Sequence, residues 1–196
     1  MSKATVLIVD KDRSRASLLN RALKEYGYEI LARLHDGHEL LHSPLIFDTD
    51  VVVIGIDLPD QDTLDDLATL SLTQPRPVVM FAEKDAPQIV QKVIKAGVSA
   101  FIIDDIQPQR IESIIQVAQA RFDEYQGLRN ELQDAKTQLA DRKIIDKAKG
   151  MIMQQQGMNE DQAYKSLRKM AMDKGLTMAK VARNIIDVME MMNAKA

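Results

Sequence analysis

The chain has 196 residues, of which 45% are hydrophobic and 28% charged, and it contains no cysteine. That length supports one ordinary domain and a smaller one with a real core, and the missing thiols exclude disulfides and thiolate metal sites. The formal charge of −3 is uneven, because residues 1–125 carry 13 basic and 20 acidic side chains whereas residues 126–196 carry 13 and 9. An acidic part is thus joined to a basic part, which points to two parts with different partners. No apolar run approaches the roughly 20 residues of a membrane span, and Met1 to Asp10 has no basic start followed by a long apolar signal core. A cytoplasmic protein with no membrane partner is expected.

Residues 5–121 alternate short β-branched runs with helical patterns. TVLIVD (5–10), YEILARL (28–34), DVVVIGI (50–56), PVVMFA (77–82) and AFIID (100–104) are strand candidates, since continuous Val/Ile runs suit strands covered on both faces. Helices with readable ends lie between them: Asp12 opens one that closes at Gly27, Asp85 with Pro87 opens one that closes at Gly97, and Pro108 opens another. Five units of this kind predict an α/β doubly wound five-stranded parallel sheet with its ligand site at the carboxyl ends of the strands. The only three histidines are His35, His38 and His42. His38 and His42 fit one helical turn, but no third ligand lies near, so a solvent-facing helix is expected rather than a metal site.

After Phe122 no strand signal returns, which divides the chain into residues 1–122, a linker helix at 123–141 and an all-α part at 142–196. Tyr125, Leu128, Leu132, Ala135 and Leu139 are spaced 3, 4, 3, 4, as in a coiled-coil seam. Their partner is a second copy or, alternatively, the chain's own helices. Gly157 then stops a helix, Asn159 followed by Gln162 reads as a capping box, Gly175 stops the next helix and Thr177 caps the last. Apolar positions 163, 167, 170 and 171, then 178, 181, 182, 185, 186 and 189, predict a small three-helix unit.

The first 122 residues resemble a response-regulator receiver domain. In that family acidic residues after the first strand hold Mg²⁺, an aspartate ending the third strand takes phosphate, and a Ser/Thr and a Lys after the fourth and fifth contact the phosphoryl group. Only Asp10 fits. Lys11 replaces an expected acid, and the acceptor position four residues before Pro59 is Gly55. Ala82 stands for the Ser/Thr, and Asp104 for the Lys. Like-charge repulsion at Asp104 disfavours a phosphoryl dianion. Lys11 is expected to pair with Asp10 or Asp104, turning the site into a structural ion pair. Asp57 is the rival acceptor, but it lies two residues past the acceptor position, in the loop. The resemblance therefore implies a pseudo-receiver with no metal or cofactor, used as a docking surface or dimerising platform.

Residues 144–186 resemble the ANTAR domain, a three-helix RNA-binding module of antiterminators. The matching residues are the Ala148-Lys149-Gly150-Met151-Ile152-Met153 run, the Gly157 break, Ala163-Tyr164, Leu167-Arg168, Ala171, Val181-Ala182 and Ile185-Ile186. A degenerate receiver, a coiled-coil helix and this module together resemble the AmiR/NasT family, in particular its NasT-type nitrate-assimilation regulators. The residues themselves support an anionic partner: Lys149 adds to the positive excess, Lys143 with Lys147 and Lys165 with Arg168 and Lys169 can share helix faces, and Tyr164 either stacks an unpaired base or joins the core. Gly150 interrupts a helical run, which suggests close approach of a helix or of RNA, or else a local bend. No nucleophile, base and orienting group come together, so an enzyme is not expected. The resemblance implies leader mRNA with paired hairpins, a homodimer when active, and control by a sequestering nitrate-sensing protein of NasS type. A phosphorylation-switched regulator using Asp57 and a DNA-binding activator are the alternatives.

Overall fold

Five short strands form a single parallel sheet in the order β2-β1-β3-β4-β5. The structure, a computed structural model, describes residues 4–82, 87–103 and 106–193. The strands are β1 (Thr5–Asp10), β2 (Glu29–Leu34), β3 (Val51–Ile56), β4 (Val78–Ala82) and β5 (Ala100–Ile103). The helices of this part are α1 (Arg13–Glu25), α2 (Gly37–His42), α3 (Gln61–Thr73) and α4 (Pro87–Lys95), with a 3-10 turn at Pro44–Asp48. Alternate residues of each central strand enter opposite cores, which is why both faces of these runs are apolar. Val6, Ile8, Val51, Val53 and Phe81 pack with Leu19 and Leu23 of α1. Leu7, Val9, Val52, Ile54 and Met80 pack on the other face with Leu40, Leu64, Leu67 and Val93.

The expected helix ends have physical causes in the structure. The Asp12 side chain caps α1 by accepting the Arg15 N–H at 2.7 Å, and Asp60 caps α3 by accepting the Thr63 N–H at 2.8 Å. Asp85, expected at the start of α4, lies outside the described residues. His38 and His42 do share α2, where each ring has another partner: His38 Nδ1 is 2.6 Å from Asp66 Oδ2 of α3, and His42 Nδ1 is 2.9 Å from the His38 carbonyl.

Contacts divide the chain into two compact units, Met1–Gln126 and Gly127–Ala196. The helix α5 (Pro108–Gln156) runs through the positions 122 and 141 at which the sequence pattern changes, because neither Pro nor a helix-stopping Gly stands there. Within the first unit its Ile111, Ile115 and Ala118 are buried on the β-sheet. Within the second, Ala148 and Ile152 pack with α6 (Glu160–Lys174) and α7 (Met178–Asn193).

The small helical core is completed by Ala163, Leu167, Ala171, Val181, Ala182, Ile186 and Met189. Both halves of the predicted capping box are present: Asn159 Oδ1 accepts the Gln162 N–H at 2.9 Å, and Gln162 Oε1 accepts the Asn159 N–H at 3.0 Å. Gly157 and Gly175 have φ of 66° and 62°, so each reverses the chain in the left-handed region that side chains disfavour. Thr177 Oγ1 accepts the Lys180 N–H at 3.3 Å and starts the final helix.

Candidate functional site

The carboxyl ends of β1 and β3 open into a cleft of about 450 Å³, lined among others by Asp10, Lys11, Asp12, Arg15, Gly55 and Asp57. Asp10 and Gly55 are paired across neighbouring strands, so the backbone alone brings them together. The carboxylate of Asp10 is wholly buried, and a buried charge requires a matched partner. That partner is Arg15, in the first turn of α1, whose side chain is only 10% exposed. Its Nε donates to Asp10 Oδ2 at 2.8 Å and its Nη2 to Oδ1 at 3.0 Å, the fork geometry that makes an Arg–carboxylate pair strong. Oδ1 also accepts the Asp12 N–H at 2.8 Å. On the far side, Arg15 Nη1 reaches Asp57 Oδ1 at 3.2 Å. Arg33 of β2 donates to the Asp10 carbonyl at 2.9 Å and fixes the backbone end of the strand.

The partner of Asp10 is therefore Arg15 and not Lys11, which is exposed at the cleft. This corrects the expected pairing: Lys11 is adjacent in sequence, but its backbone position turns its side chain outwards, whereas the turn capped by Asp12 returns Arg15 over the end of β1. Asp104, the other expected partner, lies outside the described residues. Ala82 is buried at the end of β4, opposite Ile56 in register, and does not line the cleft. Asp57 is the first residue beyond β3 and is exposed.

Position 55 carries no spare room. A Cβ placed there would lie 2.1 Å from Asp10 Oδ2 and 2.8 Å from Arg15 Nε. The ion pair thus fills the space that a side chain on β3 needs. The Mg²⁺ that receiver domains hold at this place does not fit these residues either. Both oxygens of Asp10 accept from the guanidinium, and the Asp12 carboxylate is committed to the α1 cap, which holds its pKa below the usual value through the Arg15 N–H.

The proposed basic residues of the helical unit fall into two groups. Lys143, Lys165, Arg168, Lys169 and Tyr164 are exposed. Lys149 is not: at 14% exposure its Nζ lies 2.8 Å from both Asp146 and Glu160, bridging α5 to the start of α6. These two acids raise the Lys149 pKa, and Lys149 in turn lowers that of Asp146. Lys147 meets Glu190 of α7 at 2.6 Å, but both side chains are 56% exposed. Gly150 is exposed, and a Cβ added there meets nothing within 4 Å, so no described helix of its own unit makes the close approach. On the seam, Tyr125, Leu128, Leu132 and Leu139 are 56–60% exposed, and Ala135 is exposed too. Within its own unit, no described helix covers any of them.

A parallel sheet with its cleft at the strand ends, joined to a helical module, defines a receiver-type regulator. The response regulator receiver domain model matches residues 6–116 and the ANTAR domain model residues 133–186. The chain belongs to the response regulator receiver family and, through its ANTAR domain, to the AmiR/NasT group of antiterminators. It is 27% identical over 184 residues to the transcriptional regulatory protein PdtaR of Mycobacterium tuberculosis, covering 94% of this chain and 90% of that one. A nitrate regulatory protein of Klebsiella oxytoca is 39% identical over 85 residues, which are 43% of this chain and 22% of that one. A CheY-like receiver domain from Methanospirillum hungatei superposes with a TM-score of 0.54 at 20% identity, covering 63% of this chain and 99% of that one. The family is regulatory rather than enzymatic in kind, and among the described residues no helix is long and apolar enough to cross a membrane.

Proposed function

We propose that this protein is a transcription antiterminator that binds paired hairpins in leader mRNA through residues 142–196 and is controlled by a sequestering protein rather than by phosphorylation. The observation that carries this reading is the joining of an ANTAR domain to a receiver fold whose acceptor position has no side chain and no room for one. RNA contact falls to the exposed Lys143, Lys165, Arg168 and Lys169, with Tyr164 stacking a loop base. Lys147 joins them by exchanging Glu190 for phosphate, an exposed pair of small worth. Lys149 acts by holding α6 in place. The ANTAR match begins at residue 133, upstream of the boundary at 142, so α5 enters the module as a continuous helix.

Pairing of two copies along the seam gives the bivalency that a two-hairpin RNA rewards through effective concentration. With Tyr125, Leu132 and Leu139 at a positions, the flanking g positions are Glu124, Glu131 and Gln138 and the e positions are Arg129, Lys136 and Lys143. A parallel, in-register pair sets Glu131 against Lys136 of the second copy, whereas an antiparallel pair sets like charges together. The nitrate regulatory relative supports nitrate or nitrite as the signal, sensed by a NasS-type protein that sequesters the chain until the signal binds.

The full chain is tested against a two-hairpin leader RNA and duplex DNA of equal length at several salt concentrations. RNA is expected to bind tighter throughout, and equal or tighter DNA binding refutes the reading. Copurification from the native host with and without nitrate tests the control: bound RNA and bound protein are expected to change, and no change in either rejects it.

A further inference from the structure

We infer that Arg15 is the built-in cation of the cleft, a guanidinium tethered where the receiver family holds Mg²⁺, and that it fixes the loop after β3 without metal or phosphate. The inference rests on reading this domain as a receiver that has lost its phosphate chemistry. A divalent ion there would draw on carboxylate oxygens after β1. In this chain those oxygens are already used: Asp10 Oδ1 and Oδ2 take Nη2 and Nε of Arg15, and Asp12 takes the Arg15 backbone N–H at 2.7 Å. The third arm, Nη1, holds Asp57 at 3.2 Å.

One side chain therefore ties together the first turn of α1, the end of β1 and the loop after β3. The loss of the acceptor and the gain of the tether are the same change. Asp10 occupies the space over β3 only because residue 55 lacks a Cβ, which would sit 2.1 Å from Oδ2. A guanidinium does not lose its proton in the accessible pH range, nor does it dissociate as an ion does. The state of this loop is consequently set when the domain folds, and chelators or phosphodonors have no purchase on it.

The test titrates Mg²⁺ into the full chain by calorimetry and follows the thermal midpoint in EDTA and in millimolar Mg²⁺. The wild type is expected to take up no Mg²⁺ and to melt at one temperature in both. Arg15→Gln is expected to melt several degrees lower in EDTA and to recover in Mg²⁺, because Asp10 and Asp57, the two carboxylates that the guanidinium held, then face the ion without a competitor. Arg15→Lys should recover part of the stability and remain blind to Mg²⁺. Wild-type Mg²⁺ uptake equal to that of Arg15→Gln overturns the inference, as does an Arg15→Gln chain that melts like the wild type in EDTA. Should Arg15→Gln not fold in either buffer, Asp57→Asn decides. It keeps the Asp10 pair and is expected to fold and to exchange amide hydrogens faster at residues 57–60, and unchanged exchange there overturns the tether. Acetyl phosphate separates the two readings. Phosphorylated wild type overturns both, whereas Mg²⁺ uptake without phosphorylation overturns only the role of Arg15.

Discussion

Placing a side chain at position 55 should destabilise the sheet's centre rather than create a phosphorylation site. In Gly55→Ala the new Cβ falls 2.1 Å from Asp10 Oδ2, so the carboxylate must retreat by at least about 1.3 Å to reach ordinary van der Waals contact. That retreat breaks a fork whose acceptor is wholly buried, and breaking such a pair costs about 3–5 kcal/mol. Replacing glycine within a strand returns about 0.5–1 kcal/mol through the unfolded chain. The net loss is about 2–4 kcal/mol, or roughly 30- to 1000-fold faster exchange through global opening at 1.36 kcal/mol per decade. Hydrogen exchange of β1 and β3 peptides in the full chain reads this directly and separates the sheet from the helical unit. Gly55→Asp should lose at least as much, since it adds a third acid beside the one guanidinium that already holds Asp10 and Asp57, and should remain unmodified by acetyl phosphate. Exchange within about threefold of wild type in both variants would refute the reasoning.

Gly150→Ala should stabilise the helical unit by about 1 kcal/mol, because the added methyl meets only open space and glycine is a poor helix former. Slower exchange in residues 144–156 checks it, and faster exchange contradicts it. Leu132→Lys is expected to abolish pairing along the exposed seam in sedimentation and to weaken two-hairpin RNA while sparing a single hairpin, and an unchanged sedimentation coefficient rejects the seam. Arg168→Gln should lower the salt slope of RNA binding by about one at unchanged stability, whereas Lys149→Gln should destabilise the α5–α6 junction, and the reverse pattern would exchange the two roles. Asp12, Asp60 and Asp146 lie below the carboxylate value of 3.8, held there by the Arg15 N–H, by Thr63 and by Lys149 respectively. Their contribution is complete above that pH and drains as pH falls through the lower folded values, so exchange at the starts of α1 and α3 should accelerate in acid. Lys149 lies above 10.5, so its bridge holds below that pH and fails as pH rises through the higher folded value, and loss of the α5–α6 contact near neutral pH would contradict this.

The sheet was legible because its signal is local and redundant. Val51 to Ile54 are β-branched in succession, and the run between Asp50 and the loop at Pro59 is too short for an ordinary helix, which favours a covered strand. Caps were legible for the same reason: Asn159 and Gln162 act on each other across three residues. Arg15 was not legible, because its role depends on the turn after Asp12 bringing it over the end of β1 and on the empty position 55, some forty residues away. The signal that existed was a buried aspartate ending a strand, which demands a cation, with an arginine five residues on. Lys149 divides along the same line. Its pairing with Asp146 at i,i+3 could be read from spacing, but Glu160 arrives only after the chain reverses at Gly157.

The uninterrupted run of α5 through residues 127–156 also keeps two interfaces apart. At about 100° per residue, the face carrying Leu128, Leu132, Ala135 and Leu139 points about 150° away from the face that buries Ala148 and Ile152. A second copy can therefore dock and leave without uncovering the core that holds α6 and α7. On the proposed function, association would then be an equilibrium that concentration or a competing protein tunes, with the helical unit folded on either side of it.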